Sequence, residues 1–342
     1  MILSVEHRIS ALVALGDKIT KAISSGEWEG IFLTAKHKNP WFTIENTRSA
    51  LSAIATSYLD SHALQGIVEQ YSISDDGDKK TIGMVLAGNL PAVGFHDLIC
   101  AFLTGHTTMV KLSSKDDVII PLLLEQLYAH DELCRNYFQV VERLKGYDAV
   151  VATGGNNTSR YFTYYFKDVP NIIRKSRNGV AVLDGTETEE EIDLLGKDVF
   201  SFFGLGCRNV SKLYVPQGYD VTRLLARWET LTGLQDHNKY RNNYDYNMAL
   251  FLLNKKEFLT NGNVLLLEEK QIASRIASLH YEYYDPATGV TDLLIESEEQ
   301  IQCIIGKESI LGVRAVPFGR GQMPAFTDYA DGVDTVAFMK NL

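Results

Sequence analysis

Thr81-Ile82-Gly83-Met84-Val85-Leu86-Ala87, closed by Gly88-Asn89-Leu90-Pro91, is the stretch on which the fold turns. A short apolar run bounded by turn residues reads as a buried strand. Helical spacing follows over residues 93–103 and is stopped by Gly105. Thr107-Thr108-Met109-Val110-Lys111-Leu112 is a second strand, and residues 118–130 predict a helix with Pro121 in its first turn. Tyr147-Asp148-Ala149-Val150-Val151-Ala152-Thr153 is a third strand, ending in Gly154-Gly155-Asn156-Asn157. Strand, crossover helix, strand, repeated, predicts a parallel sheet with helices on both faces. The ligand of such a sheet lies beyond the carboxyl ends of its strands. Asn89, Ser113, Ser114 and the turn from Gly154 to Asn156 all fall there.

Upstream, Ile2, Val5, Ile9, Leu12, Val13, Leu15, Ile19 and Ile23 recur at helical spacing, and helix is expected to about residue 60. Downstream, residues 179–185 form another apolar strand. Thr188-Glu189-Glu190-Glu191 then places acids where the macrodipole of a starting helix favours them. Beyond lie a helical pattern at 221–231 and apolar runs at 248–253, 264–267, 280–284 and 310–318. The length of 342 residues favours two domains. They are drawn at 1–178 and 179–318, and the glycines after 318 suggest that 319–342 turns back towards the first.

The helix after Thr188 leads into Phe202-Phe203-Gly204-Leu205-Gly206-Cys207-Arg208-Asn209-Val210-Ser211-Lys212. Gly204 and Gly206 permit a sharp turn and close approach of a ligand, so Cys207 can be displayed at an element end, where a nucleophile is useful. The competing reading is a small buried hydrophobe, the usual fate of a free cysteine. Cys100 and Cys303 lie in apolar runs, and no two of the four cysteines form a CxxC pair. Structural zinc and a disulfide framework are therefore not expected. No metal site is expected from the scattered histidines either; His96 and His106 are read as structural or solvent-facing.

Composition is ordinary for a globular α/β chain, at 45% hydrophobic and 22% charged residues. The net charge of −10 argues against a nucleic-acid surface. No apolar run is long enough to span a bilayer, and charges at Glu6 and Arg8 come too early for a secretory signal. A soluble protein of the reducing cytoplasm is the simplest expectation.

With the elements in order, residues 83–91 and Leu103-Thr104-Gly105-His106-Thr107-Thr108-Met109-Val110-Lys111 resemble the aldehyde dehydrogenase superfamily's strand, Asn-x-Pro turn, helix and strand-ending lysine. Val151-Ala152-Thr153-Gly154-Gly155 resembles its cofactor loop, and residues 202–211 its catalytic-cysteine segment. The match covers roughly 80–216. Within the superfamily the chain is most similar to acyl-CoA reductases related to the fatty-acid reductase of bacterial bioluminescence, and residues 237–247 look characteristic of a bacterial branch of them. The chain is short for the superfamily. The resemblance implies an α/β, aldehyde-dehydrogenase-like fold: a Rossmann-type parallel-sheet cofactor domain at 1–178 and an α/β catalytic domain at 179–318. It implies cofactor contacts from Ala87, Gly88, Lys111, Ser113, Ser114, Gly154 and Gly155, with Cys207 and Asn89 catalytic. An acyl-CoA or acyl-carrier partner follows, and a homo-oligomer is an open expectation.

Aldehyde-oxidising members place a general-base glutamate before the cysteine-bearing helix. Counted back from Cys207, the matching segment Ile173-Arg174-Lys175-Ser176-Arg177-Asn178-Gly179 contains no acid, unless a gap hides one such as Asp184. A base that activates water is needed to hydrolyse a thioester, so its absence favours acyl exchange with CoA. The expected mechanism is attack of Cys207 on the thioester, with the Asn89 amide and the Cys207 N–H holding the oxyanion. Hydride from reduced nicotinamide then gives the aldehyde. Asn89 has an alternative as a cap of the following helix. NADPH is expected in preference to NADH, because Ser114 stands where NAD-selective relatives carry an acid and Lys115 follows, although Asp116 and Asp117 are adjacent. Two other functions stay open: an acyl-phosphate reductase and a catalytically silent subunit that binds nucleotide or an acyl-transferring partner.

Overall fold

The computed structural model describes residues 3–231, 233–311 and 315–342. The polypeptide divides into two compact units, Met1–Ser176 with Pro324–Leu342 and Arg177–Met323. The crossings thus fall at 176/177 and 323/324 instead of 178/179 and 318/319.

Four helices open the first unit: α1 (Val5–Ser25), α2 (Glu29–Lys38), α3 (Ile44–Tyr58) and α4 (Ser61–Gln70). The Ser4 side chain caps α1 by accepting the His7 N–H, and Gly26 ends the helix in left-handed backbone at φ 72°. Then come β1 (Thr81–Val85), α5 (Phe95–Thr104), β2 (Thr107–Lys111), α6 (Ile119–His130), β3 (Phe138–Val140), β4 (Ala149–Thr153), α7 (Asn156–Tyr165) and β5 (Asn171–Arg174). The sheet order is β3-β2-β1-β4-β5, and every pair is parallel. Ile82, Met84, Val110 and Val151 from the strands meet Leu98, Phe102 and Leu123 from the helices in one core. The expected helix at 93–103 starts later, at Phe95, because Pro91, Ala92 and Gly94 are still in the turn.

The second unit holds β6 (Asn178–Val182), α8 (Glu189–Phe200), β7 (Val210–Pro216), α9 (Thr222–Trp228), α10 (Asn238–Leu253), β8 (Leu259–Thr260), β9 (Leu265–Glu268), β10 (Ser278–Tyr284), α11 (Thr291–Glu296), β11 (Ile301–Ile305), α12 (Glu308–Leu311) and β12 (Ala315–Val316). Its sheet runs β12-β11-β6-β7-β10-β9-β8, and only the β8–β9 pair is antiparallel. The apolar run 248–253 is the end of the long helix α10. Of the run expected at 310–318, residues 312–314 lie outside the described residues. Trp228 packs on α8 at Gly196, where an added Cβ would sit 2.9 Å from the indole Nε1. That indole donates to the Ile192 carbonyl at 2.9 Å.

The chain then returns to the first unit. Helix α13 (Thr335–Lys340) buries Val336 and Met339 in the same core as α5. At the carboxyl end of β5, the buried Arg174 guanidinium donates to Asp97 in the first turn of α5 and to the Thr335 hydroxyl. Arg174 thereby ties sheet, helix and returning segment together. No helix among the described residues is long and apolar enough to cross a membrane.

Candidate active site

The approach to Cys207 begins with a capping box. The Thr188 side chain accepts the Glu191 N–H while the Glu191 carboxylate accepts the Thr188 N–H. Helix α8 therefore starts in fixed register and delivers its carboxyl end at Phe200. There the backbone reverses hand: Phe202, Phe203 and Gly204 take φ of 52°, 59° and 74°. Glycine adopts that region freely, whereas a side chain with a Cβ is strained in it.

Asn209 stitches the turn together. Its side-chain amide donates to the carbonyls of Asp198 and Ser201 at 3.0 and 2.9 Å, two of the carbonyls left orphaned by the helix end. Its Oδ1 accepts the Gly206 N–H at 2.8 Å. On the flank, the Asp198 carboxyl accepts the N–H groups of Gly319 and Gly321 at 2.6 and 2.9 Å, and Arg208 Nε donates to the Gly321 carbonyl at 2.6 Å. Burial pushes the Asp198 carboxyl up to about 6 against those two donors. Beneath the loop, Gly179 leaves no room for a Cβ, which would sit 2.7 Å from the Arg208 carbonyl oxygen. Ser211 faces inward and donates to the Ile272 carbonyl at 2.7 Å.

Cys207 is half-buried, whereas Cys100, Cys134 and Cys303 are buried. Burial pushes the Cys100 thiol well above its ordinary range and the Cys134 thiol up to about 12. Those two are packing residues. The Cys303 sulfur rests 3.7 Å from the Arg208 carbonyl oxygen, beside the cysteine loop.

In the first unit, adjacency of β2, β1 and β4 brings three turns side by side at one end of the sheet. Ala87, Gly88 and Asn89 follow β1, Ser113 and Ser114 follow Lys111 at the end of β2, and Gly154 and Gly155 follow β4. Gly88 and Ser113 touch so closely that a Cβ on Gly88 would meet the serine Oγ at 2.5 Å. Gly155 stands at the N-terminus of α7, and the Gly154 N–H donates to the Arg174 carbonyl at 3.3 Å. Asn89 is exposed and does not cap α5, whose N-cap is Gly94. Asp116 turns inward, accepting the Ala92 N–H at 2.7 Å and the Ile119 N–H at 3.2 Å, and Asp117 pairs with Lys38 at 2.9 Å. Both acids beside the serines are thus engaged elsewhere.

Aldehyde dehydrogenase 21 from Physcomitrella patens, in complex with the reaction product succinate, matches this structure with a TM-score of 0.70 at 13% identity, covering 99% of this chain and 84% of that one. An NAD-dependent aldehyde dehydrogenase from Sinorhizobium meliloti gives 0.66 at 14%, over 90% and 72%. Propionaldehyde dehydrogenase from the fucose utilisation microcompartment of Clostridium phytofermentans gives 0.63 at 10%, over 94% and 82%. This is the aldehyde dehydrogenase fold. No protein-family model and no curated protein matches the sequence, so the likeness is one of architecture.

Within this aldehyde-dehydrogenase-like fold the question of a hidden acid has a geometric answer. Strands β6 and β7 are parallel, with Gly179 opposite Val210, so Cys207 lies by their amino ends. Asp184 follows the carboxyl end of β6, roughly 16 Å of strand away. Burial pushes its carboxyl upward, but the Thr186 hydroxyl and N–H and then Lys307 overcome this and hold it at about 2. Asp184 is a turn residue at the wrong end of the sheet. In the sequence Asn209 stood only as one residue of the cysteine segment; its place two residues after Cys207, where the chain must turn into β7, was the available signal. Arg174 and Asp198 carried no such signal, because their partners are remote in sequence.

Proposed function

We propose that the protein reduces an acyl-CoA, of the fatty type, to an aldehyde through an S-acyl intermediate on Cys207, with NADPH as reductant. The observation that carries this reading is the presentation of Cys207. It is the one cysteine of the four that is not buried, it follows a left-handed turn, and the hidden-acid candidate Asp184 is at the far end of its strand.

The Cys207 thiolate attacks the thioester carbonyl carbon, a C–S bond forms, and the CoA thiolate leaves. The Asn89 amide and the Cys207 N–H are the donors assigned to the oxyanion, each such donor contributing about 3 kcal/mol. That Asn89 is not the cap of α5 supports this role. Asp184, at the far strand end, is not the base that activates water, which favours an S-acyl group that survives until reduction or return to CoA.

The cofactor's fit rests on the first unit. Ala87, Gly88, Lys111, Ser113, Ser114, Gly154 and Gly155 line the carboxyl ends of three neighbouring parallel strands, where dinucleotides lie in open α/β sheets. With Asp116 and Asp117 engaged elsewhere, Ser113, Ser114 and Lys115 suit a 2′-phosphate. When bound, the reduced nicotinamide supplies hydride.

Incubation with acyl-CoA, then mass spectrometry of peptides, tests the reading. A single acyl adduct on Cys207 is expected. Labelling from acyl-phosphate but not acyl-CoA would move the assignment to an acyl-phosphate reductase, and no labelling with an unreactive Cys207 thiol to a silent binding subunit.

A further inference from the structure

Two phenylalanines in left-handed backbone need something to hold them. The region costs a non-glycine residue about 1–2 kcal/mol, and strain of this kind persists only where the surroundings over-determine it. Phe202 is buried and held by its neighbours. Phe203 is only half-buried, and its ring lies on that of His237, with centroids 4.3 Å apart and planes inclined by 34°.

His237 is itself a fixed platform. It is the N-cap of α10, its Nδ1 accepting the Tyr240 N–H at 3.3 Å. Tyr240 is buried, donates its hydroxyl to the Asn263 carbonyl at 2.8 Å, and places its own ring 5.9 Å from Phe203. Released from this stack, Phe203 would relax towards negative φ and carry the backbone from Gly204 to Cys207 with it. We infer that His237 is a positioning residue for Cys207: its ring, stacked on Phe203, holds the left-handed turn and so aims the thiol. The inference rests on the reading that Cys207 is the nucleophile.

Two substitutions separate the ring from the cap. His237→Phe keeps a ring for Phe203 but has no acceptor for the Tyr240 N–H; His237→Asn keeps the acceptor but has no ring. Two rates at Cys207 are read by mass spectrometry, alkylation by iodoacetamide and acyl-adduct formation from acyl-CoA, with the melting temperature measured alongside. His237→Asn is expected to keep its melting temperature while both rates fall roughly 10- to 100-fold, the cost of a misplaced reacting group. His237→Phe is expected to melt lower yet react close to the wild-type rates. His237→Asn reacting like wild type, or His237→Phe slowed as much as His237→Asn, overturns the inference. If wild type forms no acyl adduct, the nucleophile reading falls, and the alkylation rates still decide whether His237 aims the thiol.

Discussion

Cys207 and Asn209 stand two residues apart and do opposite jobs, which their substitutions should separate. Cys207→Ala removes the proposed nucleophile from a loop held by its neighbours, so melting is expected to stay unchanged while acyl transfer is abolished. Activity retained by Cys207→Ala, with an adduct on Cys303, would show that the assignment is wrong. Asn209→Ala strands the Asp198 and Ser201 carbonyls and the Gly206 N–H in a buried setting. A loss of about 2–3 kcal/mol is expected from denaturant unfolding, the usual consequence of leaving buried polar groups unpaired. Asn89→Ala is exposed, so its expected signature is kinetic, an acylation rate lower by roughly 10²- to 10³-fold at unchanged nucleotide affinity. Ser114→Glu would put an acid where the 2′-phosphate is assigned. It should turn the ratio of kcat/KM for NADPH over NADH towards NADH, and a ratio indifferent to the change would remove this loop from cofactor selection.

Among the elements, those with local chemistry were legible and those defined by distant partners were not. Thr188 followed by three glutamates announces the start of α8, and the full capping box is present; Thr188→Ala should cost about 1 kcal/mol in unfolding experiments. Strands β1, β2 and β4 are apolar runs ended by Gly-Asn, Lys and Gly-Gly, and their parallel order could be anticipated from the helices between them. Strands β3 and β5 were missed because both are edge strands. Phe138-Gln139-Val140 buries only Phe138, and Asn171 leaves β5 exposed at its start. For the candidate site, Cys207, Gly204 and the strand-end turns could be read off the chain. The left-handed Phe202 and Phe203 could not, since phenylalanine rarely adopts that backbone and only Asn209, His237 and the surrounding packing enforce it.

For the whole molecule, pH dependence follows from carboxyls that burial disturbs. Burial raises Asp116 and Asp198 from the ordinary carboxylate range to about 6. The folded chain then binds protons at these sites more readily than the unfolded chain, so their contribution to stability grows as pH falls from 7 towards 4. Burial lowers the pKa of His96, His106 and His280, which opposes this below about 6.5. A difference measurement cancels the histidines. The stability of wild type minus that of Asp116→Asn is expected to grow by about 1.3 kcal/mol between pH 7 and pH 5, and a pH-independent difference would show that Asp116 stays ionised. One further consequence belongs to the order of synthesis. The first unit is built from Met1–Ser176 and Pro324–Leu342, so Val336 and Met339, fully buried in its core, leave the ribosome only after the whole of Arg177–Met323. Chains fold during translation from the amino end, and the nascent first unit must wait with the surface beside α5 uncovered while Arg177–Met323, a continuous stretch, has everything it needs. The cysteine-bearing unit is thus free to mature first, and a ribosome stalled before Thr335 would hold that unit complete while the first still lacks its closing helix.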